Sequence, residues 1–274
     1  MTSSVQADDG QDPVGENESA SGRSEAFGRL RPDRLRPPEL PVGLATWTRS
    51  IVRYIAFASR DPKVAAGPGI NDNGSGSSAL LEVAEQMVNV KPLTNKLRFA
   101  WWGAEEDGLV GSTFWVNDRL TEDEDGLDDI ELYLNFDMVA SPNYGLFIYD
   151  GDGSGFGLEG PPGSDDIEAL FETYYADRAI PSEPSAFDGR SDYQAFILNG
   201  VPAGGLFTGA EVPKTVAQRA KWGGLAGVPF DPCYHEDCDD IDNLSLEALE
   251  INSDAIAYVT FLYATGAEVI DTTP

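Results

Sequence analysis

Short apolar runs and helical patterns alternate along most of this sequence. The apolar runs are rich in aromatic and branched residues, the composition of buried strands, and they lie at residues 51–58, 97–102, 131–135, 145–149 and 202–207. Because strands that alternate with helices form α/β folds, we expect a three-layer α/β/α sandwich around a mixed, mostly parallel sheet.

Helical periodicity fills the intervals between these runs. Residues 67–78 are typical of a turn-rich loop, in which Ser77 or Ser78 caps the first helix. The buried stripe of that helix is predicted to be Leu80, Ala84, Met87 and Val88. Further helices are expected near residues 112–120, 165–177 and 245–263, the second with an apolar face of Ile167, Leu170, Phe171, Tyr174 and Tyr175.

The beginning of the chain differs from the rest in composition and charge. Residues 1–27 are rich in Ser, Gly, Asp and Glu and lack apolar periodicity, which predicts disorder. They also lack the cationic start and apolar centre of a secretory signal. Residues 1–66 hold nine acidic and nine basic residues, so the remainder carries the whole net charge of -29. We expect residues 1–65 to be a divergent, largely disordered segment and residues 66–274 to be the folded domain.

The acidic composition and the lack of long apolar runs argue against nucleic-acid binding and against a membrane-spanning helix. A charge of -29 argues against binding to a nucleic-acid backbone, which needs a face of Lys and Arg. No apolar run reaches the length of about 18 residues that a membrane-spanning helix needs. A solvated acidic surface keeps a protein soluble at high salt, where screening removes the self-repulsion, so we expect a halophilic source.

Two adjacent glutamates follow the most aromatic of the predicted strands. In Leu97-Arg-Phe-Ala-Trp-Trp-Gly-Ala-Glu105-Glu106, the apolar run stops at a glycine just before the two carboxylates. Functional side chains of open α/β sheets lie at the carboxyl ends of strands. Because adjacent residues point in different directions, one glutamate can bind a metal while the other faces the reacting water. The alternative is an ordinary acidic turn.

Three further side chains complete a candidate metal site. Asp72, Asp137 and His235 lie in turns or directly after predicted strands, and His235 is the only histidine in the sequence. Together with the two glutamates they offer mixed nitrogen and oxygen ligands, which suit zinc in a catalytic site with an open position for water. Each residue alone also has an ordinary structural interpretation, so the prediction depends on their joint occurrence.

The two cysteines flank this histidine, in Cys233-Tyr-His-Glu-Asp-Cys238. Two thiols five positions apart can close a small disulfide loop or bind a metal, and they are too few for a closed thiolate zinc site. We favour the disulfide between Cys233 and Cys238, which would fix Tyr234 and His235 and would indicate an oxidising compartment.

Six motifs, in order over about residues 66–265, resemble the zinc aminopeptidases of peptidase family M28, and most closely the secreted streptomycete type. They are Ile70-Asn-Asp72-Asn-Gly-Ser-Gly76, the stretch from Leu97 to Ser112, Leu134-Asn-Phe-Asp137-Met138, Asp188-Gly-Arg-Ser-Asp192, Gly204-Gly-Leu-Phe-Thr-Gly209 and Phe230-Asp-Pro-Cys-Tyr-His235. The resemblance implies a zinc-exopeptidase fold and makes residues 66–274 a peptidase domain.

The resemblance also implies a role for each matching side chain. Asp72 matches the carboxylate that bridges two zinc ions, Asp137 a ligand of the first zinc, and Glu106 and His235 ligands of the second. Glu105 matches the general base, and Tyr234 the hydroxyl donor to the tetrahedral oxyanion. Substrate binding is implied for three more residues: Arg190 near the free amino end, and Met138 and Phe207 in the apolar side-chain pocket.

The match fails at three positions. Arg60 and Pro62 stand where the family has the His and the Asp of a His-x-Asp motif, and arginine cannot bind zinc because it has no free lone pair. Tyr193 stands where close relatives have a histidine. Asp72 and Asp137 would remain as ligands of the first zinc, so we expect that site to be weak or empty unless Asp61 shifts into it. The expectation for this chain is therefore one or two zinc ions.

Taken together, the sequence predicts a zinc-dependent aminopeptidase that cleaves the N-terminal bond of peptides with a free amino end. We expect a monomer without nucleic-acid or membrane partners, and an extracellular location by resemblance. Two alternatives stay open: a catalytically impaired or inactive homologue that lacks the first-zinc histidine, and a non-enzymatic acidic cation-binding protein.

Overall fold

The computed structural model describes residues 52–56, 67–122 and 126–272. Within them, six strands form one sheet: β1 (Val52–Ala56), β2 (Lys96–Phe99), β3 (Ile130–Phe136), β4 (Phe147–Tyr149), β5 (Glu183–Ser185) and β6 (Ala203–Phe207). The strand order is β2-β1-β3-β6-β4-β5. Neighbouring strands are parallel except β4 and β6, so the predicted mixed, mostly parallel sheet is confirmed.

Helices cover both faces of this sheet. In the described part of the chain they are α1 (Gly74–Met87), α2 (Val110–Glu122), α3 (Ser164–Ala176), α4 (Gln194–Ile197), α5 (Val216–Trp222) and α6 (Leu246–Thr265). The side chain of Ser245 caps α6 by accepting a hydrogen bond from the backbone N–H of Ala248. None of these helices is long and apolar enough to cross a membrane.

Strand β3 shows how the three layers are built. Its residues Leu132, Leu134 and Phe136 pack into the larger core with α1, α3 and α6. Tyr133, which points to the opposite face, packs with α2 and α4 in a second core. This alternation is the period of two that a strand imposes on its side chains. The predicted three-layer sandwich is therefore confirmed.

The first helix departs from the prediction at both ends. Helix α1 begins at Gly74, and Asn73 caps it instead of Ser77 or Ser78. The helix therefore starts inside the segment that its glycines and serines marked as a loop. At the other end Val88 is 70% exposed, and Val83 is buried instead, between Leu80 and Met87.

Three short elements, β5, α4 and α5, lack a signal that the hydrophobic pattern could reveal. Helix α4 has only four residues and β5 three, so neither is long enough to show a periodic pattern.

Strand β2 is shorter than the run predicted at 97–102. It ends at Phe99, so residues 100–102 lie in the turn that precedes the paired glutamates.

The N-terminal part is described only in β1, which pairs with both β2 and β3. This strand agrees with the run predicted at 51–58 and lies in the segment that the sequence analysis separated from the folded domain. The expected disorder of residues 1–27 falls outside the described residues, and so do Arg60, Asp61 and Pro62. The division at residue 65 stays a prediction.

Candidate functional site

The candidate residues gather at one edge of the sheet. Strands β1, β2, β3 and β6 are mutually parallel, so their carboxyl ends meet there. Asp137 directly follows β3, and Glu105 and Glu106 lie between β2 and α2. Asp72 stands two residues before α1, and His235 lies in the loop between α5 and α6.

A tight turn presents the paired glutamates. The carbonyl oxygen of Glu105 accepts hydrogen bonds from the backbone N–H groups of Gly108 and Leu109, at 2.9 and 2.7 Å. A side chain at Gly111 would lie 2.5 Å from the carbonyl oxygen of Gly103, so the two segments of the turn approach too closely for any residue but glycine. Gly111 thus serves the backbone of the turn, and the glutamates face the site.

Asp72, Glu106 and His235 bring three ligand atoms to one point. The Nε2 atom of His235 lies 3.0 Å from Oε2 of Glu106 and 3.3 Å from Oδ2 of Asp72. One ligand atom from each residue lies within 4.8 Å of the other two. One imidazole and two carboxylates are a donor set that zinc accepts, with a fourth position open for water.

Asp137 supplies a further oxygen to this edge. Its Oδ2 accepts a hydrogen bond from the Ser191 hydroxyl at 2.7 Å. Its Oδ1 is buried and has no hydrogen-bond partner among the described residues. A buried carboxylate oxygen without a partner is costly unless a cation compensates it, so the residues present fit a bound divalent ion.

A chain of hydrogen bonds fixes the orientation of Asp137. Trp102 donates to Tyr133, the Tyr133 hydroxyl donates to Oδ1 of Asn135, and the Asn135 amide donates to Ser191, at 3.1, 3.4 and 2.9 Å. Each of these four residues is less than 9% exposed. The chain ends on the Oδ2 atom of Asp137, which leaves Oδ1 directed at the site.

Two polar side chains that the sequence analysis did not single out hold Asp72 in place. Asn73 accepts a hydrogen bond from the N–H of Met138 and donates to the carbonyl of Phe136, so it ties the Asp72 segment to the end of β3. The carboxylate of Asp239 accepts from the N–H of Asp72 at 3.1 Å. Asn73 could have been found as a helix cap. Asp239 has no sequence signal.

The crowding of carboxylates changes their acidity. Burial, and then the charges of Asp137, Asp192, Glu106 and Asp72, raise the pKa of Glu105 to about 10. Burial raises the pKa of Asp137 well above its usual value too, with the charge of Asp72 as the next cause. A divalent cation among these groups would favour their charged forms and reverse the shifts.

The disulfide between Cys233 and Cys238 is present, with a Cα–Cα distance of 5.3 Å. It encloses Tyr234 and His235, whose rings stack with centroids 3.8 Å apart. Burial raises the pKa of the Tyr234 phenol, and the charge of Asp72 adds to the shift, so Tyr234 keeps its proton as a donor at neutral pH.

A pocket opens beside these groups. Its lining includes Glu105, Tyr234, Arg190, Met138 and Phe207. All the side chains for which the resemblance implies catalysis or substrate binding therefore lie around one cavity.

The departure at Tyr193 has a structural role. Tyr193 is 1% exposed, and its hydroxyl accepts from the N–H of Gly189 and donates to Oδ1 of Asp188. These contacts hold the turn that carries Arg190. The neighbouring Asp192 is also buried and accepts a hydrogen bond from the Ser112 hydroxyl.

Comparison with known proteins identifies the family. The model of peptidase family M28 matches residues 55–260. The chain is 56% identical over 205 residues to "Aminopeptidase" of Pseudomonas aeruginosa (strain UCBPP-PA14), which covers 75% of this chain and 38% of that protein. It is 51% identical over 220 residues to "Leucine aminopeptidase 2" of Arthroderma otae, covering 80% of this chain and 44% of that protein. The chain thus spans less than half the length of these curated relatives.

Solved structures show the same fold. A zinc aminopeptidase from Bacillus subtilis superposes with a TM-score of 0.62 at 24% identity, over 82% of this chain and 49% of that chain. An aminopeptidase from Aneurinibacillus sp. strain AM-1 superposes with a TM-score of 0.60 at 26% identity, over 83% of this chain and 46% of that chain.

Proposed function

Because this chain belongs to peptidase family M28, we propose that it is a zinc-dependent aminopeptidase that hydrolyses the N-terminal bond of peptides. The observation that carries the proposal is the convergence of Asp72, Glu106 and His235 on one point beside the buried Glu105. A donor set with an open position, next to a carboxylate that can accept a proton, is what metal-assisted hydrolysis requires.

Asp72, Glu106 and His235 would hold one zinc ion, and Asp137 together with Asp72 would face a second. Bound zinc supplies Lewis acidity, which polarises the scissile carbonyl and lowers the pKa of water. The first-zinc histidine is replaced by Arg60, which lies outside the described residues, so the number of zinc ions stays a proposal of one or two.

The remaining steps belong to side chains of the pocket. Glu105 accepts the proton of the attacking water and passes it to the leaving amine. Tyr234 donates its phenolic proton in a hydrogen bond to the carbonyl oxygen, where negative charge develops. Met138 and Phe207 receive the side chain of the N-terminal residue, and Arg190 lies on the side of its free amino end. Arg190 can only donate hydrogen bonds, so the ammonium group must find its acceptors among the carboxylates.

A pair of anilides tests the proposal. The full chain, loaded with zinc, is expected to release p-nitroaniline from leucine p-nitroanilide and to leave the N-acetylated anilide intact, because the site binds a free amino end. Equal cleavage of both substrates would contradict an aminopeptidase, and cleavage of neither would contradict a peptidase. The variant His235→Ala, which removes the only imidazole, is the matched control.

The finer properties are proposed on weaker grounds. The disulfide supports an extracellular location, and we propose a monomer of the streptomycete type that prefers large apolar N-terminal residues. The net charge of -29 supports a halophilic source, for which the free energy of unfolding should rise with salt. The alternatives of an inactive homologue and of a non-enzymatic cation-binding protein are not favoured, because the family match and the aminopeptidase relatives support an active enzyme.

A further inference from the structure

Glu211 lies shortly after the end of β6 and contacts Arg190, which lines the pocket. Its Oε1 atom accepts a hydrogen bond from Nη1 of Arg190 at 2.9 Å. The other terminal nitrogen of Arg190, Nη2, donates to the hydroxyl oxygen of Tyr234 at 3.3 Å. Glu211, Arg190 and Tyr234 therefore form one hydrogen-bonded chain that ends on the proposed oxyanion donor.

The backbone places Glu211 firmly relative to Tyr234. The carbonyl oxygens on either side of Glu211, those of Ala210 and Val212, accept hydrogen bonds from the N–H groups of Asp231 and Phe230, at 2.8 and 3.1 Å. Residues 230–231 lead directly into the disulfide loop that carries Tyr234. Glu211 and Tyr234, the two ends of the hydrogen-bonded chain, thus lie on backbone segments that are hydrogen-bonded to each other or directly continue such a segment.

The chemistry of the guanidinium sets the direction of the phenol proton. Arginine has donors only, so the Tyr234 oxygen accepts the hydrogen bond from Arg190. The phenolic proton then has to point away from Arg190. Both residues line the pocket, so the proton is free to meet a carbonyl oxygen there.

Arg190 would not hold this position alone. Its side chain is 53% exposed. Arginine has many rotamers, so an exposed arginine side chain samples several of them unless a partner restrains it. Glu211 supplies both the partner and the opposite charge. The hydrogen bond and charge of Arg190 bring the pKa of Glu211 below its usual value although burial acts in the other direction, so the pair is ionic at neutral pH.

We propose that Glu211 is a positioning residue for the oxyanion donor: it anchors Arg190, which in turn orients the hydroxyl of Tyr234 towards the substrate. The proposal rests on the function proposed above, because it assigns a role to Glu211 through the hydroxyl of Tyr234.

The variant Glu211→Gln tests this role, since it keeps the shape of the side chain and removes the charge. Its kcat for leucine p-nitroanilide should fall by about ten- to a hundredfold, the size of loss found when the hydrogen-bonding partner of a metal ligand is removed. Zinc content should stay unchanged. Glu211→Asp should recover part of the loss. The matched control is Glu183→Gln, which breaks the surface ion pair of Glu183 with Lys221 outside the pocket and should leave kcat unchanged.

A double-mutant cycle with Tyr234→Phe separates positioning from a general structural effect. If Glu211 acts through the Tyr234 hydroxyl, then Glu211→Gln should cause no further loss of kcat in the Tyr234→Phe background. An equal loss of kcat in both backgrounds, or an unchanged kcat in Glu211→Gln alone, would overturn the proposal.

The side-chain nitrogen signals of Arg190 give a readout that does not depend on turnover. In the zinc-free full chain, restrained rotation should give separate Nη1 and Nη2 signals, which should merge in Glu211→Gln and persist in Glu183→Gln. If the zinc-loaded chain cleaves no anilide, the proposed function fails, and this comparison alone decides whether Glu211 anchors Arg190. Identical Arg190 signals in the parent and in Glu211→Gln would refute the anchoring.

Discussion

The Nε2 atom of His235 lies 3.3 Å from the Oδ2 atom of Asp72 and 3.0 Å from Oε2 of Glu106. In the metal-free chain, such contacts are favourable when Nε2 carries a proton, which a neutral imidazole can also supply. A metal ion at the same point would replace that proton, because a ligating imidazole must be neutral. Protons and zinc therefore compete for the same atoms.

Zinc binding is expected to release protons from the carboxyl groups of the site at neutral pH. The raised pKa values of Glu105 and Asp137 cause this release, because a nearby cation returns both carboxyls to their charged forms. Calorimetric titrations with zinc in buffers of different ionisation enthalpy measure the number of protons released. Binding heats that do not depend on the buffer would contradict this expectation.

Replacement of Glu105 by Gln is expected to lower kcat by about 10²- to 10⁴-fold, the usual contribution of a general base. Zinc binding should persist, because the three converging ligands Asp72, Glu106 and His235 do not include Glu105. Hydrolysis of leucine p-nitroanilide and zinc content after dialysis are the two measurements. Unchanged hydrolysis by the variant would remove Glu105 from this role.

Asp192 should make the metal-free protein less stable as the pH rises. Burial raises its pKa from 3.8 to about 7, only partly offset by the hydrogen bond from Ser112. Between these two values the folded state keeps a proton that the unfolded state loses, so folding becomes less favourable, by up to the order of 4 kcal/mol. The contribution is complete above pH 7 and absent below pH 4.

The variant Asp192→Asn isolates this contribution, since an amide does not titrate. The free energy of unfolding of the parent, relative to that of the variant, should decrease between pH 4 and pH 7 in denaturant titrations. A difference that stays constant over this range would show that Asp192 does not hold the proton.

Loss of the disulfide should affect the site more than the fold. The Cys233–Cys238 loop is short, so chain entropy alone gives it roughly 2 kcal/mol of stabilisation. The same loop carries Tyr234 and His235. The double replacement of both cysteines by Ser is therefore expected to weaken zinc binding and to lower kcat while the chain stays folded at room temperature. Zinc affinity equal to that of the parent would contradict a positioning role for the loop.

The hydrophobic pattern was sufficient to predict the long elements. Helix α3 buries one side against the larger core, so its periodicity is strong, whereas β3 and α6 are buried on most sides and were predicted from their apolar composition. Helix α1 was placed with the wrong cap because Ser77, Ser78 and Asn73 are all capping residue types, and only the tertiary contacts of Asn73 with the end of β3 decide between them.

The candidate site could be assembled from motifs, but its supporting contacts could not. Asp72, Glu106 and His235 were recognised by residue type and by family resemblance, and the fold brings them together. Ser191 and Asp239 act through single hydrogen bonds to residues distant in sequence, which leave no periodic or spacing signal. Glu211 likewise acquires its importance only from the position of Arg190.

The central claim is that the His235 imidazole, together with Asp72 and Glu106, holds the zinc ion that activates this chain for peptide hydrolysis. The most direct test measures zinc bound per chain after dialysis, in parallel with leucine p-nitroanilide hydrolysis, for the parent and for His235→Ala. In the parent we expect at least one bound zinc per chain together with turnover. In His235→Ala we expect zinc binding to decrease and turnover to be lost. A variant that binds as much zinc as the parent, or a zinc-loaded parent without turnover, would contradict the account.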